Sequence, residues 1–158
     1  AGFGQTDDAG HITAPDSTGV QPARAMSLAL QDAGLNPDEV DYINAHGTST
    51  PLNDKIETMA IKLALGEDAA RKACISSSKS MFGHKLGAAS AVEAAVCAMT
   101  LDRGVAHHTL NLENPDIENG CDLDYIPGQP READFKAVIS NSLGFGGHNV
   151  TLAFRKFE

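Results

Sequence analysis

The stretch "SSSKSMFGHKLGAASAVEAA" (residues 76–95) decides the fold, because it runs from a strand through two titratable side chains into an apolar helix. The run at 72–78 has strand character, and the segment 87–101 contains only three polar residues. A helix that is apolar on nearly every side is expected between the layers of a protein rather than on its surface. Lys79 and His84 are therefore expected at the mouth of the core.

The other segments repeat this alternation of strand and helix. Their order, β-α-β-α-β-α-β-β, predicts an α/β fold with a mixed five-stranded sheet, helices on both faces and one antiparallel strand added by a closing hairpin. Asp16, Ser17 and Thr18 are N-cap candidates for the first helix, and Gly34 and Gly66 end the first two helices. The predicted strands cover 1–6, 39–45, 72–78, 136–142 and 149–157, with 123–126 as a further strand candidate, and the predicted helices cover 18–33, 53–65 and 87–101.

Length and composition narrow the function classes. The chain has 158 residues, enough for a single domain, and a formal charge of -9. Nucleic-acid binding needs basic patches, so this charge argues against it. The three cysteines lack CxxC spacing, which disfavours a disulfide framework and favours a reducing compartment. We expect no membrane span and no signal peptide, and the opening at Ala1 is typical of a fragment or a processed product.

Four clusters of polar or aromatic residues follow predicted strands: Thr13, His46, Lys79 with His84, and Phe145. Open α/β sheets bind their ligands beyond the carboxyl ends of the strands. A lone histidine there is more often a structural group, but two histidines at the tips of adjacent parallel strands would face one crevice. Two neutral imidazoles can donate hydrogen bonds to one carbonyl oxygen and stabilise the enolate that it becomes.

Lys79 and Glu93 are expected to form a pair. Glu93 is the only carboxylate in the predicted buried helix, and a buried carboxylate requires a partner. The alternative is a Glu93 that faces the surface and has no role. The lysine charge near His84 would disfavour the imidazolium form of that ring.

The segment "GFGG" (144–147) leads into a strand and lacks GxGxxG spacing, so a dinucleotide-binding loop is excluded. Glycines on both sides of Phe145 favour a mobile loop that can swing the ring and present backbone N–H groups. A simple hairpin turn is the alternative.

No nucleophile is evident in the sequence. It contains no G-x-S-x-G elbow, no H-E-x-x-H and no P-loop. Cys74, Cys97 and Cys121 do not stand at predicted helix N-termini, where a reactive thiolate would be stabilised. His107 and His108 are adjacent and would point to opposite sides of an extended segment, which is a poor arrangement for chelation.

Three motifs carry a family resemblance: "NAHGTSTPLND" (44–54), "SSSKSMFGHKLGAA" (76–89) and "NSLGFGGHN" (141–149). Together they resemble the C-terminal half of the β-ketoacyl-acyl-carrier-protein synthases, most closely the synthase II type of fatty-acid synthesis. The resemblance covers 1–158 and implies the second βαβαβαββ half of a thiolase-like, five-layered subunit. It also implies that the N-terminal half, which carries the nucleophilic cysteine, is absent from this chain.

The resemblance implies a decarboxylative condensation. In the family, a cysteine of the first half takes the acyl group, and malonyl carrier protein then loses carbon dioxide and attacks the acyl-enzyme. By motif, His46 and His84 would hold the malonyl thioester carbonyl and its enolate, with Lys79 supporting His84 and Glu93 behind it. Phe145 would be the gate residue, and its backbone N–H would join the acyl oxyanion hole.

The resemblance also implies partners. Thr48, Thr50 and Thr13 would bind the phosphopantetheine arm of acyl carrier protein, which carries the acyl and malonyl groups, and no other cofactor or metal is implied. The expected assembly is a homodimer of full-length subunits in the bacterial cytoplasm or in the matrix of plastids or mitochondria. Without its cysteine, the chain alone is expected to be inactive.

Two alternatives remain beside fatty-acid synthesis. One is a type II polyketide ketosynthase, which shares these motifs. The other is a non-catalytic fragment or chain-length partner of the same fold, which would have little reason to keep both histidines, the lysine and the phenylalanine.

Overall fold

The computed structural model, which describes residues 1–157, is built around one mixed five-stranded sheet. The strands are β1 (Gly2–Asp7), β2 (Tyr42–Asn44), β3 (Cys74–Ser76), β4 (Val105–Ala106), β5 (Arg131–Glu132), β6 (Ala137–Gly144) and β7 (His148–Arg155). The α-helices are α1 (Val20–Ala33), α2 (Asn53–Leu65), α3 (Glu67–Lys72), α4 (Lys79–Phe82) and α5 (Ala89–Arg103), and short 3-10 helices lie at Pro37–Glu39, Leu86–Ala88 and Ile117–Asn119.

The sheet has the strand order β1-β7-β6-β2-β3, and β4 pairs separately with β5. Strand β2 is parallel to β6 on one side and to β3 on the other, whereas β7 is antiparallel to both of its neighbours. The carboxyl ends of β2, β3 and β6 therefore lie along one edge. This arrangement confirms the mixed sheet with a closing antiparallel hairpin that the sequence predicts.

Helices cover both faces of the sheet and form two cores. Helices α1 and α2 pack on one face, and α5 packs on the other against β6 and β7. Burying these two apolar faces is the main driving force for folding the chain. Central residues of the first core are Met26, Ile43, Ile61 and Ile139, and those of the second are Tyr42, Cys97, Leu101, Phe135 and Val138.

Strand β1 lies unusually close to α1 because two of its residues are glycines. A Cβ on Gly4 would lie 2.0 Å from the carbonyl oxygen of Ala25, and a Cβ on Gly2 would lie 2.3 Å from that of Ala29. No side chain fits at these distances, and the obstructing atoms belong to the helix backbone. Glycine is therefore required at positions 2 and 4 of β1.

Helix α1 begins later than predicted and does not use a predicted cap. Gly19, with a φ of 65°, occupies the N-cap position, and no side chain caps the helix there. Asp16 instead accepts hydrogen bonds from Thr18, so it shapes the preceding turn. Gly19 lies against α2, where a Cβ would come 3.2 Å from the Met59 side chain, and this packing favours glycine.

The strand candidate at 123–126 is wrong. The backbone N–H of Ile75 donates to the carbonyl of Asp124 at 2.8 Å, so the segment runs beside β3 for one hydrogen bond. At Ile126 the φ is 45°, and this left-handed residue turns the chain away before a ladder can form. The predicted strands 39–45 and 72–78 are likewise shortened to three residues each.

Helix α5 is not buried on all sides, contrary to the sequence expectation. Its buried face is narrow, and its other face exposes Ala91, Ala95, Ala98 and Met99. Within the described residues no second layer covers this face.

No helix in the described part of the chain is long and apolar enough to cross a bilayer.

Replacing Gly4 by alanine should destabilise the chain by about 3 kcal/mol, because the new methyl group overlaps helix backbone that cannot move without shifting all of α1. Urea unfolding measures the change. The control is Gly10→Ala, since Gly10 is exposed and a Cβ there meets only one atom, at 3.8 Å. Equal stability of the two variants would contradict the close packing of β1 on α1.

Candidate active site

Two histidines meet at the carboxyl edge of the sheet. His46 follows β2 and His84 lies in the connection after β3, and these two strands are parallel neighbours. The ring centroids are 5.7 Å apart with an interplanar angle of 85°, an edge-to-face arrangement. The structure therefore brings together the two rings that the sequence assigns to one crevice.

The exposed ring of His84 has a defined tautomer. Its Nδ1 accepts a hydrogen bond from the backbone N–H of Leu86 at 3.1 Å. Because an accepting nitrogen is bare, the proton of the neutral ring lies on Nε2. Leu86 adopts a φ of 51°, and this left-handed turn brings its N–H back to the ring. Nε2–H remains as the donor that a ligand would meet.

His46 is held in its neutral form. The residue is 9% exposed, and its Nδ1 has no hydrogen-bond partner within the described residues. Burial, the positive charge of Lys79 and the proximity of His84 lower the pKa of His46 to about 3. The sequence predicts this effect of the lysine for His84, and the structure shows it at His46.

A buried carboxylate fixes the backbone that carries His46. Glu57 of α2 accepts the backbone N–H of His46 and that of Gly47, each at 2.8 Å. Asn53 and Asn141 donate side-chain hydrogen bonds to it at 3.3 Å. Burial raises the pKa of Glu57, and these hydrogen bonds act against that rise. The loop after β2 is therefore set by α2 and by β6 together.

Gly47 lets the loops after β2 and β3 touch. Its φ is 42°, and a Cβ there would lie 2.6 Å from the Cβ of Ser77. Ser77 donates its hydroxyl to the carbonyl of Gly47 at 2.7 Å. A larger residue at position 47 would push the two histidine-bearing loops apart.

Lys79 and Glu93 form a buried ion pair. The Lys79 Nζ lies 2.5 Å from the Glu93 Oε1, and the side chains are 6% and 2% exposed. The pairing agrees with the sequence expectation and excludes a surface-facing Glu93. The second carboxylate oxygen, Oε2, has no hydrogen-bond partner within the described residues. The lysine charge is fixed behind the crevice rather than free to move in it.

The turn between β6 and β7 lies at the same edge of the sheet. Phe145 is 78% exposed, while the glycines that follow it are tied to the loop after β1. Gly146 donates its N–H to the carbonyl of Ile12 at 2.7 Å, and Asp8 donates its N–H to the carbonyl of Gly147 at 2.9 Å. The turn therefore has a fixed base and an uncovered aromatic ring. Its role as a gate stays a prediction.

The three threonines that the sequence assigns to the phosphopantetheine arm lie in two different parts of the structure. Thr48 and Thr50 have their hydroxyl oxygens 3.0 Å apart. Both line an open cavity of about 830 Å³ that is also lined by Lys79 and His84. Thr13 is not part of this lining and lies in the exposed loop after β1. The structure thus joins Thr48 and Thr50 to the crevice and leaves Thr13 beside the base of the Phe145 turn.

The cysteines are free and buried, in agreement with the absence of a disulfide framework. Burial raises the pKa of Cys97 to about 12, and it also raises the pKa values of Cys74 and Cys121. All three thiols are therefore protonated at neutral pH. None is prepared to act as a nucleophile.

Sequence reasoning missed Glu57 and a polar cluster beneath the crevice. Glu57 stands three and four residues before the buried Ala60 and Ile61, so its helical spacing places a carboxylate on the core face of α2. That spacing could have identified it. The cluster, in contrast, depends on contacts between distant segments and consists of Tyr42, Asn44, Ser76, Ser78 and His107.

Glu57→Gln should destabilise the chain by about 2 kcal/mol, because an amide NH2 would face backbone N–H donors that need an acceptor. Urea unfolding checks this value, with the exposed Glu113→Gln as the matched control. A Glu57→Gln variant as stable as the control would show that the carboxylate does not hold the loop.

Because the pKa of His46 is lowered in the folded chain, the free energy of unfolding should decrease as the pH falls. Below the ordinary value of 6.5 the unfolded chain binds a proton at this position, and the folded chain does not until the pH approaches about 3. Stability is therefore lost as the pH falls through that window, by up to about 1.4 kcal/mol per pH unit. The variant His46→Gln should lose less stability between pH 6 and pH 5. Parallel curves for the two proteins would contradict the assignment.

Comparison with protein families places the chain among condensing enzymes. The family model described as "Beta-ketoacyl synthase, C-terminal domain" matches residues 1–113. The 3-oxoacyl-[acyl-carrier-protein] synthase 2 of Synechocystis sp. is 54% identical over 99% of this chain and 37% of the relative. The protein of the same name from Coxiella burnetii is 49% identical over 98% of this chain and 37% of the relative. The chain thus spans a little over a third of the length of these curated relatives.

Solved structures lead to the same group. A type II polyketide-synthase ketosynthase (AntDE:AntF), described in complex with its acyl-carrier protein and bound to the hexaketide, matches with a TM-score of 0.94 at 39% identity, covering 100% of this chain and 38% of its own. A beta-ketoacyl synthase from Burkholderia phymatum STM815 matches with a TM-score of 0.91 at 41% identity, covering 99% and 37%. The fold is the thiolase-like half that the sequence predicts. The chain belongs to the beta-ketoacyl synthase family and contains its C-terminal domain.

Proposed function

We propose that the chain is the C-terminal half of a 3-oxoacyl-[acyl-carrier-protein] synthase, which condenses malonyl carrier protein with an enzyme-bound acyl group. The observation that carries the proposal is the pair of imidazoles 5.7 Å apart at the ends of two parallel strands. A buried lysine–carboxylate pair lies directly behind them. Such a site offers hydrogen-bond donors and one fixed positive charge but no nucleophile.

The two rings would stabilise the negative charge that decarboxylation produces. As the bond between the malonyl α-carbon and its carboxylate breaks, carbon dioxide leaves and the electron pair forms a thioester enolate. His84 donates from Nε2–H, the position set by its bond to Leu86. His46 is neutral at physiological pH and donates from one ring nitrogen. Donors already oriented toward the enolate oxygen require no reorganisation during the reaction.

Carbon–carbon bond formation completes the reaction. The enolate carbon attacks the acyl carbon of a thioester on a cysteine, and the cysteine thiolate leaves. That cysteine must come from the N-terminal half, since all three thiols of this chain are buried and carry raised pKa values. The chain alone is then inactive, and the active unit contains both halves, in a homodimer of full-length subunits.

Lys79 acts through its charge rather than through proton transfer. Its ammonium group is paired with Glu93 and almost fully enclosed, which holds it in one place. A fixed cation beside the rings opposes formation of an imidazolium. His46 therefore stays neutral at physiological pH.

The substrate arrives on acyl carrier protein. Thr48 and Thr50 line the cavity beside His84 and would bind its phosphopantetheine arm, with Thr13 at the outer end. Phe145 on its anchored turn would open and close the acyl site. A solved neighbour is described in complex with an acyl-carrier protein, which supports this partner. The reaction needs no other cofactor, and we assign it to the bacterial cytoplasm or an organelle matrix.

A type II polyketide ketosynthase is the second candidate, and one specific observation favours it. The ketosynthase described with a bound hexaketide superposes with a TM-score of 0.94. The identity of 54% to a synthase 2 relative favours fatty-acid synthesis instead. Turnover with saturated acyl carrier protein against polyketide-loaded carrier protein distinguishes the two.

In the full-length protein, His84→Ala should lower the decarboxylation of malonyl carrier protein by about 100-fold, because one enolate donor is lost. Acyl transfer from acyl carrier protein to the cysteine should remain within about threefold, since it does not form this enolate. Release of carbon dioxide and acyl-enzyme formation by mass spectrometry measure the two half-reactions.

The control for this variant is His108→Ala, because His108 lies outside the crevice. An equal loss of both half-reactions in His84→Ala would refute the role of His84. Absence of decarboxylation in the unaltered full-length protein would refute the proposed function itself.

A further inference from the structure

A polar cluster lies beneath the crevice and is not used by the proposed mechanism. The Tyr42 hydroxyl is 2.8 Å from Ser76 Oγ, and the Asn44 side chain donates to the Tyr42 hydroxyl at 3.1 Å. Asn44 also donates to Ser78 Oγ at 2.6 Å. His107 reaches this cluster from a distant segment, with its Nε2 3.0 Å from Ser78 Oγ. One imidazole thereby closes a network whose other members lie on or directly after β2 and β3.

The direction of these hydrogen bonds follows from one contact. His107 Nδ1 lies 2.8 Å from the carbonyl oxygen of His108, and a carbonyl can only accept, so Nδ1 carries the proton. Nε2 is therefore bare and accepts the hydroxyl proton of Ser78. Ser78 Oγ in turn accepts from Asn44. Burial lowers the pKa of His107, which agrees with a neutral, accepting ring.

The network ends at the two loops that form the crevice. Asn44 is the last residue of β2 and precedes His46 by two positions. Ser78 directly precedes Lys79 at the start of α4. Hydrogen bonds of 2.6 Å and 3.0 Å join Asn44 to Ser78 and Ser78 to His107. A shift of the imidazole would therefore move the backbone on both sides of the site.

We propose that His107 is a positioning residue, which accepts the Ser78 hydroxyl and so fixes the loops of His46 and Lys79 relative to each other. The inference rests on the proposed function, because it assigns a residue to the same reaction. Both ring nitrogens of His107 already have partners, Ser78 Oγ and the carbonyl oxygen of His108, so the ring acts through its neighbours and not on the substrate. Its required property is a hydrogen-bond acceptor at the position of Nε2.

That property separates three variants of the full-length protein. His107→Gln can place its carbonyl oxygen near the position of Nε2 and keep the acceptor. His107→Asn is shorter and reaches only the position of Nδ1. His107→Leu fills the space without any acceptor. If His107 served packing alone, the leucine variant would be at least as active as the glutamine variant. If His107 positions the loops, the glutamine variant should be the most active of the three.

We expect His107→Leu and His107→Asn to lower kcat for malonyl decarboxylation about tenfold, since a small displacement of oriented donors has a large effect on rate. KM for malonyl carrier protein and the rate of acyl transfer should stay within about twofold. His107→Gln should restore most of the lost kcat. Ser78→Ala removes the donor instead of the acceptor, and it should likewise lower decarboxylation while leaving acyl transfer unchanged. This variant keeps the test valid if a His107 variant fails to fold.

The matched control is His108→Leu, because the His108 side chain has no hydrogen-bond partner within the described residues at Nδ1. It should leave both half-reactions unchanged. The inference is overturned if His107→Leu retains full decarboxylation, if glutamine gives no rescue, or if both half-reactions fall together with the unfolding midpoint. If the unaltered full-length protein does not decarboxylate malonyl carrier protein, the proposed function and this inference are overturned together. If the unaltered protein is active and His107→Leu decarboxylates at the same rate, the inference alone is overturned.

Discussion

The histidine-bearing loops at the carboxyl edge of the sheet depend on the buried carboxylate of Glu57. A charge removed from water must be paired or surrounded by donors, and here the donors are two successive backbone amides of the loop after β2. Because Asn141 of β6 donates to the same group, one side chain joins a helix, a loop and a strand. The path of the backbone through His46 is thus fixed by hydrogen bonds to a carboxylate in addition to the apolar packing of Ala45.

The two histidines occupy contrasting environments that complement each other. One ring is enclosed and held neutral by its surroundings, while the other is open to the cavity and oriented by a backbone amide from a strained turn. Lys79 and Glu93 lie beneath both as a closed pair. The site therefore combines one immobile group with one accessible group, and neither depends on a mobile charge. Such pre-arranged donors are the property that the proposed enolate chemistry requires.

Sequence patterns predicted the elements with local signals and missed the features that depend on distant contacts. Helix 53–65 was predicted at its observed bounds, because its apolar spacing and Gly66 lie within one short segment. The strand candidate 123–126 failed because a single left-handed residue, Ile126, redirects it. The cap at Gly19 follows from packing against α2, and the role of Glu57 follows from a neighbour 84 residues away. The pairing of Lys79 with Glu93 was foreseeable, since a lone carboxylate on an apolar helix has few other possible partners.

The enclosure of His46 has a consequence for the cell that contains this protein. A ring whose pKa lies near 3 gains or loses essentially no protons anywhere in the range in which cells live. An internal pH that drifts by one unit leaves this part of the crevice chemically the same. In the folded chain, any change in the chemistry of the crevice with such drift must therefore originate in groups outside the His46 pocket, while His46 makes itself felt only through the balance between folded and unfolded chain.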